Sequence, residues 1–248
     1  MTQVPKVRLH LFFATENNRA MILRQGPARD TRMILWHRDT DTFEDGQWLR
    51  HKVNVPRSSL SPDGRHFIYF MLDGRWDGPG QGAYTAISRP PYWTALALFP
   101  QGDAWGGGGV FLDNRHYLSF GGADIIGRDE ELARVALGAA EKGCTTGIRL
   151  MNGRPAPLDR KVTRRLLAGP MPSDFLEMWA WLSDSNRTAR EEYPTEGGRL
   201  FRRSGDRLDL IRDFTDMTFE PVRAPYDWRE PQAECAVEPW HPFDGERG

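Results

Sequence analysis

The stretch that decides the fold is Leu60-Ser61-Pro62-Asp63-Gly64-Arg65-His66-Phe67-Ile68-Tyr69-Phe70-Met71. Its Ser-Pro-Asp-Gly start is a strong turn signal, because Pro fixes φ, Asp bonds to its own backbone and Gly accepts a positive φ. The apolar and aromatic run after Arg65 is typical of a β-strand. The stretch therefore predicts a tight turn followed by a strand.

Three other segments repeat this pattern of a turn, an arginine and an apolar strand. They are Asn17-Asn18-Arg19-Ala20-Met21-Ile22, Asp113-Asn114-Arg115-His116-Tyr117-Leu118 and Gly205-Asp206-Arg207-Leu208-Asp209-Leu210. Successive arginines of the four copies are 46, 50 and 92 residues apart, and the last spacing is twice the first. Such a period predicts repeated β-hairpin units. We expect each of these arginines to begin or lie in a strand just after a tight turn.

The segment 60–70 resembles the PD40-type (TolB-like, WD40-like) β-propeller repeat. The resemblance covers one good copy and two or three weaker ones, which is less than half of the chain. It implies a scaffold of antiparallel blades, and five units of about 48 residues would fill the length. Propellers carry protein-binding functions and several enzyme chemistries, so the resemblance implies no particular activity.

The stretch 128–192 departs from the strand pattern and predicts helices. One helix is expected over 129–141, because Asp129 and the acids after it suit a helix start and Lys142-Gly143 suits a helix end. A second is expected over 160–168, and a third from Ser173. The predicted fold class is mainly β with a helical block (α+β). Its antiparallel hairpins are expected to form a propeller-like arrangement or an open sheet.

Two regions are expected along the chain. Residues 1–220 are interpreted as a single β-rich domain that includes the helical block. Residues 221–248 are rich in proline and acidic residues, and we interpret them as an extended tail.

Charge and composition exclude several classes of function. Lysine and arginine total 33 against 34 acidic residues, a net charge of −1, so the basic excess of a general nucleic-acid binder is missing. No apolar run reaches the length of a membrane span, and the start of the sequence lacks the apolar core of a signal peptide. Cys144 and Cys235 form no metal-binding or disulfide pattern. We expect a bacterial, cytoplasmic protein that contacts neither membrane nor nucleic acid.

The sequence offers no recognisable catalytic motif. The glycines at 106–109 are not followed by Gly-Lys-Ser/Thr, so a close approach of backbones is a better interpretation than a phosphate loop. We expect no cofactor and no metal ligand. The sequence leaves open whether the chain is an enzyme, although it favours a non-catalytic role. The alternative is a hydrolase that uses scattered carboxylates in a propeller-like pocket.

The best binding candidates are loop residues of a kind that dominates recognition surfaces. Arg75, Trp76 and Asp77 lie in the glycine-rich loop 73–83, and Trp105 precedes the glycines at 106–109. The competing interpretation is that Trp76 packs back onto the sheet as a core residue. The predicted function is a non-catalytic binding or protein-interaction module of a bacterial cytoplasm. Its partner would be another protein or a small ligand.

Overall fold

The computed structural model describes residues 6–122, 125–127, 131–137, 148–151, 156–167 and 187–227. This part of the chain is mainly β-structure in four sheets, none of which closes on itself. The mainly-β prediction is therefore confirmed. Neighbouring strands in each sheet also follow one another in the sequence, as repeated hairpins require.

Sheet 1 consists of β1 (Arg8–Phe13), β2 (Arg19–Gln25), β3 (Thr31–His37) and β4 (Thr42–Leu49). Sheet 2 consists of β5 (Lys52–Leu60), β6 (Phe67–Leu72), β7 (Ala83–Ser88) and β8 (Ala95–Pro100). Sheet 3 consists of β9 (Gly109–Phe111), β10 (His116–Ser119), β11 (Ala133–Leu137) and β12 (Ile148–Leu150). Sheet 4 consists of β13 (Thr195–Glu196), β14 (Arg199–Ser204) and β15 (Arg207–Asp213). The described helices are α1 (Arg160–Leu167) and α2 (Arg187–Glu192).

The sheets pack face to face in the order 4, 1, 2, 3. Leu200 of sheet 4 packs with Ile22 of sheet 1, while Met21 on the other face of β2 packs with residues of sheet 2 such as Tyr69. Ile68, on the opposite face of β6, packs with sheet 3. Sheets 1 and 2 are thus covered on both faces. Their central strands are therefore almost continuously apolar instead of alternating with polar residues.

The helical block predicted for 128–192 is not supported. Where a helix was expected over 129–141, the described residues form β11, which pairs with β10 in parallel and β12 in antiparallel fashion. Val135 is buried in one cluster with Leu118 and Val110, and this packing overrides the helical spacing of the apolar residues. The helix predicted over 160–168 is observed as α1, whereas the helix expected from Ser173 begins outside the described residues.

Three of the repeated turns have the same local structure. The side-chain oxygens of Asn17, Asp63 and Asp113 each accept the backbone N–H two residues later, which belongs to Arg19, Arg65 and Arg115. These distances lie between 2.8 and 3.0 Å. Arg19 begins β2 and Arg207 begins β15, as predicted. Arg65 and Arg115 fall just short of the prediction, because they end their turns shortly before β6 and β10.

The three turns also bond to one another and so join the three sheets at one end. Asn17 donates from Nδ2 to the carbonyl of Asp63 at 2.8 Å. The N–H of Asp63 donates to Oδ1 of Asn114 at 2.8 Å, and Asn114 Nδ2 donates to Glu16 at 2.7 Å. We call this end, formed by residues 14–18, 61–66 and 112–115, the turn end.

Among the described helices, none is long and apolar enough to cross a membrane.

Candidate functional site

The two candidate tryptophans lie at the end of sheet 2 opposite to the turn end. Trp76 is in the loop that joins β6 to β7, and Trp105 is in the loop that joins β8 to β9. The loops touch, because a Cβ added at Gly102 would lie 3.0 Å from Oε1 of Gln81. We call the surface formed by residues 73–82 and 101–108 the tryptophan end. The structure thus brings together residues that lie far apart in the sequence.

The loop that carries Trp76 is held by its own hydrogen bonds. The N–H groups of Asp73 and Gly74 donate to the carbonyl of Gly82, at 3.2 and 3.0 Å. The N–H of Gly78 donates to the carbonyl of Arg75 at 3.1 Å. The backbone is therefore more ordered than the glycine content of the loop predicts.

Trp76 lies between the two interpretations given for it from the sequence. Its indole rests on Gly82, where an added Cβ would be 2.3 Å from the ring, yet 54% of the residue is exposed. One face of the ring is therefore used to position it, and the rest is open. Gly82 also has φ of +75°, so no other residue would fit this contact without strain.

Trp105 is an exposed side chain on a fixed backbone. The residue is 88% exposed. Its N–H and that of Gly106 both donate to Oδ1 of Asp103 at 2.8 Å, and these bonds lower the pKa of the Asp103 carboxyl. Arg57 donates from Nη1 to the carbonyls of Trp105 and Gly106. These bonds hold the backbone of Trp105, and its indole lies in solvent.

The glycines after Trp105 are needed for close packing. A Cβ at Gly107 would lie 2.3 Å from the ring of Phe70, and one at Gly109 would lie 2.1 Å from Ile68. At Gly108 it would lie 2.4 Å from the carbonyl oxygen of Arg57. The sequence interpretation of close backbone approach is confirmed here.

Arg75 and Asp77 are also exposed at the tryptophan end. Arg75 donates from Nη2 to Nε2 of His51 at 3.3 Å, and its Nε lies 3.7 Å from Oδ2 of Asp73. No motif in the sequence marks His51 or Arg57 as a binding residue. Arg57 is 48 residues from the Trp105 carbonyl that it binds, and the packing of β5 against β9 brings the two together.

A concave site lies beside the turn end. It is a polar pocket of about 590 Å³ lined by Asn17, Asn18, Arg19, His37, Asp39, Asp63 and Arg65. In the sequence, the repeat marks Arg19 and Arg65 only as residues that begin a strand after a turn.

Comparison of the chain with protein-family models, with curated proteins and with solved structures gives no match.

Proposed function

We propose that this chain is a non-catalytic binding module and that its tryptophan end docks another protein. The observation that carries the proposal is the pair of exposed tryptophans, 54% and 88% accessible, on touching loops with fixed backbones. Tryptophan gains much contact area at little cost in side-chain entropy, and tryptophan and arginine are enriched at binding hot spots. A preorganised backbone lowers the entropic cost of binding further.

A protein partner suits this surface better than a small ligand. Trp105 projects from its loop with most of its area in solvent, so a partner must supply the pocket that covers it. Arg75 and Asp77 beside Trp76 place both charge signs at the rim, where they can select a partner of complementary charge. The bacterial, cytoplasmic location stays a prediction from the sequence.

Two described carboxyls, Asp213 and Asp113, are poor candidates for the general acid of the hydrolase alternative. A general acid needs a raised pKa. Hydrogen bonds from Thr215 and Arg199 instead lower the pKa of Asp213 to about 2. Burial would raise the pKa of Asp113, but bonds from Arg115 and His116 hold it below its usual value. Both groups are thus ionised anchors of turns.

We also propose that sheets 1, 2 and 3 are consecutive propeller-type repeat units. Each begins with an inner hairpin closed by an Asx-type turn, and β5 lies against both β1 and β9. The parallel pairing of β10 with β11 departs from an antiparallel blade. In this arrangement the tryptophan end is a loop face of the repeat, where binding residues of such scaffolds can vary without altering the sheets.

The binding proposal is tested by truncating the tryptophans. Trp105→Ala and the double variant Trp76→Ala/Trp105→Ala should bind the partner more weakly by about 2 kcal/mol or more, which is about 30-fold in Kd. The partner is to be captured from the native cell on the wild-type chain, identified by mass spectrometry and titrated by calorimetry. Stability should change little for Trp105→Ala, because its side chain has almost no packing to lose.

Leu210→Ala is the matched control. Leu210 is 55% exposed on β15, as open as Trp76 but on a different sheet. This variant should retain the full affinity. Equal capture by all variants, equal loss in the control, or no partner specific to the wild-type chain would each contradict the proposal.

A further inference from the structure

The pocket beside the turn end is lined by two arginines whose guanidinium groups have no partner among the described residues. Arg19 and Arg65 both line the 590 Å³ pocket. Within the described part of the chain, neither guanidinium group has a hydrogen-bond or ion-pair partner. By contrast, other arginines such as Arg24, Arg57 and Arg212 are bonded to carbonyls or carboxylates. Asp39 and Asp63 line the same pocket and balance its formal charge, but the two guanidinium groups without a partner can each still bond an anionic oxygen.

The backbone fixes where these arginines start. Each follows an Asx-type turn, and the two turns are joined by the bond from Asn17 Nδ2 to the carbonyl of Asp63. The stem of Arg19 lies across Gly64, where an added Cβ would be 3.2 Å from Cβ of Arg19 and 3.5 Å from its Cδ. Gly64 has φ of +71°, so glycine suits both the turn and the contact. The two turns and the stem of Arg19 are therefore already in place without a ligand.

The remaining lining residues favour an anion that also carries hydroxyl groups. Asp39 is exposed and has no described partner, and Asn18 adds an amide with both donors and an acceptor. Oδ1 of Asp63 is occupied by the hydroxyl of Ser61 and the N–H of Arg65. Two carboxylates beside two guanidinium groups would repel a polyanion, whereas they would accept hydrogen bonds from neutral hydroxyls.

We propose that this pocket binds a small sugar phosphate, with the phosphate between Arg19 and Arg65 and the hydroxyl groups on Asp39 and Asn18. Guanidinium forks match phosphate oxygens in geometry as well as in charge. The depression is open to solvent, and its volume of about 590 Å³ is large enough for a small sugar phosphate. The site lies at the other end of β6 from Trp76, so it is independent of the protein-docking proposal.

The test is a calorimetric titration of the full chain with ribose 5-phosphate, ribose and inorganic phosphate. Ribose 5-phosphate should bind most tightly, inorganic phosphate more weakly and ribose not measurably. Arg65→Gln and Arg19→Gln should each weaken binding of the ester by at least about tenfold, because each removes a charge-assisted bond. Asp39→Asn should weaken binding of the ester but not of inorganic phosphate.

Arg115→Gln is the matched control, because Arg115 holds the same turn position but does not line the pocket. This variant should bind like the wild-type chain. No binding of the ester at millimolar concentration, equal binding of ribose, or equal loss in Arg115→Gln would overturn the proposal. Arg65 is exposed at its turn, so Arg65→Gln keeps the test valid even if Arg19→Gln fails to fold.

Discussion

Gly46→Ala is expected to lower the free energy of unfolding by about 3 kcal/mol or more. Gly46 lies in β4, and a Cβ there would be 1.9 Å from the carbonyl oxygen of Pro91 and 2.4 Å from its Cβ. These atoms belong to the β7–β8 connection of sheet 2. The two sheets would have to separate locally to admit a methyl group.

The cost of that separation extends to the hydrogen bonds beside Gly46. The N–H of Gln47 donates to the Pro91 carbonyl at 3.0 Å, and its side-chain oxygen accepts the N–H groups of Trp93 and Thr94 at 2.6 and 3.0 Å. Gln47 is itself buried, so lost bonds would leave polar groups unpaired away from water. A shift of Pro91 therefore disturbs the joint between sheets 1 and 2 as a whole.

Urea unfolding is the measurement, and Gly78→Ala is the control. Gly78 undergoes the same chemical change in the loop 73–82, where the nearest atom to an added Cβ is the carbonyl oxygen of Arg75 at 3.3 Å. The control should lose no more than about 1 kcal/mol. Equal stability of the two alanine variants would show that Pro91 yields easily and that the joint is not tightly packed.

The strands that could be predicted from the sequence are those whose signals are local. β2, β6 and β10 each follow an Asx-type turn that specifies its own backbone, and the apolar run after the turn gives the strand. β11 could not be predicted, because Val135 is apolar in a helical spacing as well as in a strand. Only the partners in sheet 3, Leu118 and Leu150, select the strand.

The candidate sites divide in the same way. Trp76 and Trp105 could be selected from residue type and loop context, but their shared surface depends on the pairing of β7 with β6 and β8. The repeat identifies Arg19 and Arg65 but does not predict that they line one pocket. No sequence signal indicates the hydrogen bond from Asn17 to Asp63 that brings their turns together. Contacts between strands and between sheets bring the residues of each candidate site together, and the periodicity of the sequence does not predict these contacts.

Arg24→Met is expected to destabilise the chain by about 3 kcal/mol, because Arg24 is a buried polar anchor. The residue is 1% exposed in β2 and donates to the carbonyls of Phe214 at 3.0 Å and Thr215 at 3.1 Å, as well as to Gly26. Burial lowers the pKa of its guanidinium group, because the charged form loses its hydration. Methionine removes that cost but leaves the three carbonyls without their donor.

The loss should be concentrated where sheet 1 holds the chain after β15. Phe214 is fully buried against sheet 1, and the segment after it reaches sheet 2 through Tyr226, whose hydroxyl donates to the carbonyl of Thr94 at 2.8 Å. Without Arg24 this segment loses its first attachment, so trypsin should cleave after Arg223 faster in Arg24→Met than in the wild-type chain. Urea unfolding and mass spectrometry of the fragments measure the two effects.

Arg8→Met is the appropriate control, because Arg8 pairs with Gln25 next to Arg24 in the same sheet but is exposed. It should change neither the unfolding midpoint nor the cleavage rate. If Arg24→Met matches this control in both measurements, hydrophobic packing of Phe214 alone holds the segment. If Arg24→Met lowers stability without faster cleavage, Arg24 stabilises sheet 1 itself, and the link between its contacts with the Phe214 and Thr215 carbonyls and the segment after β15 is wrong.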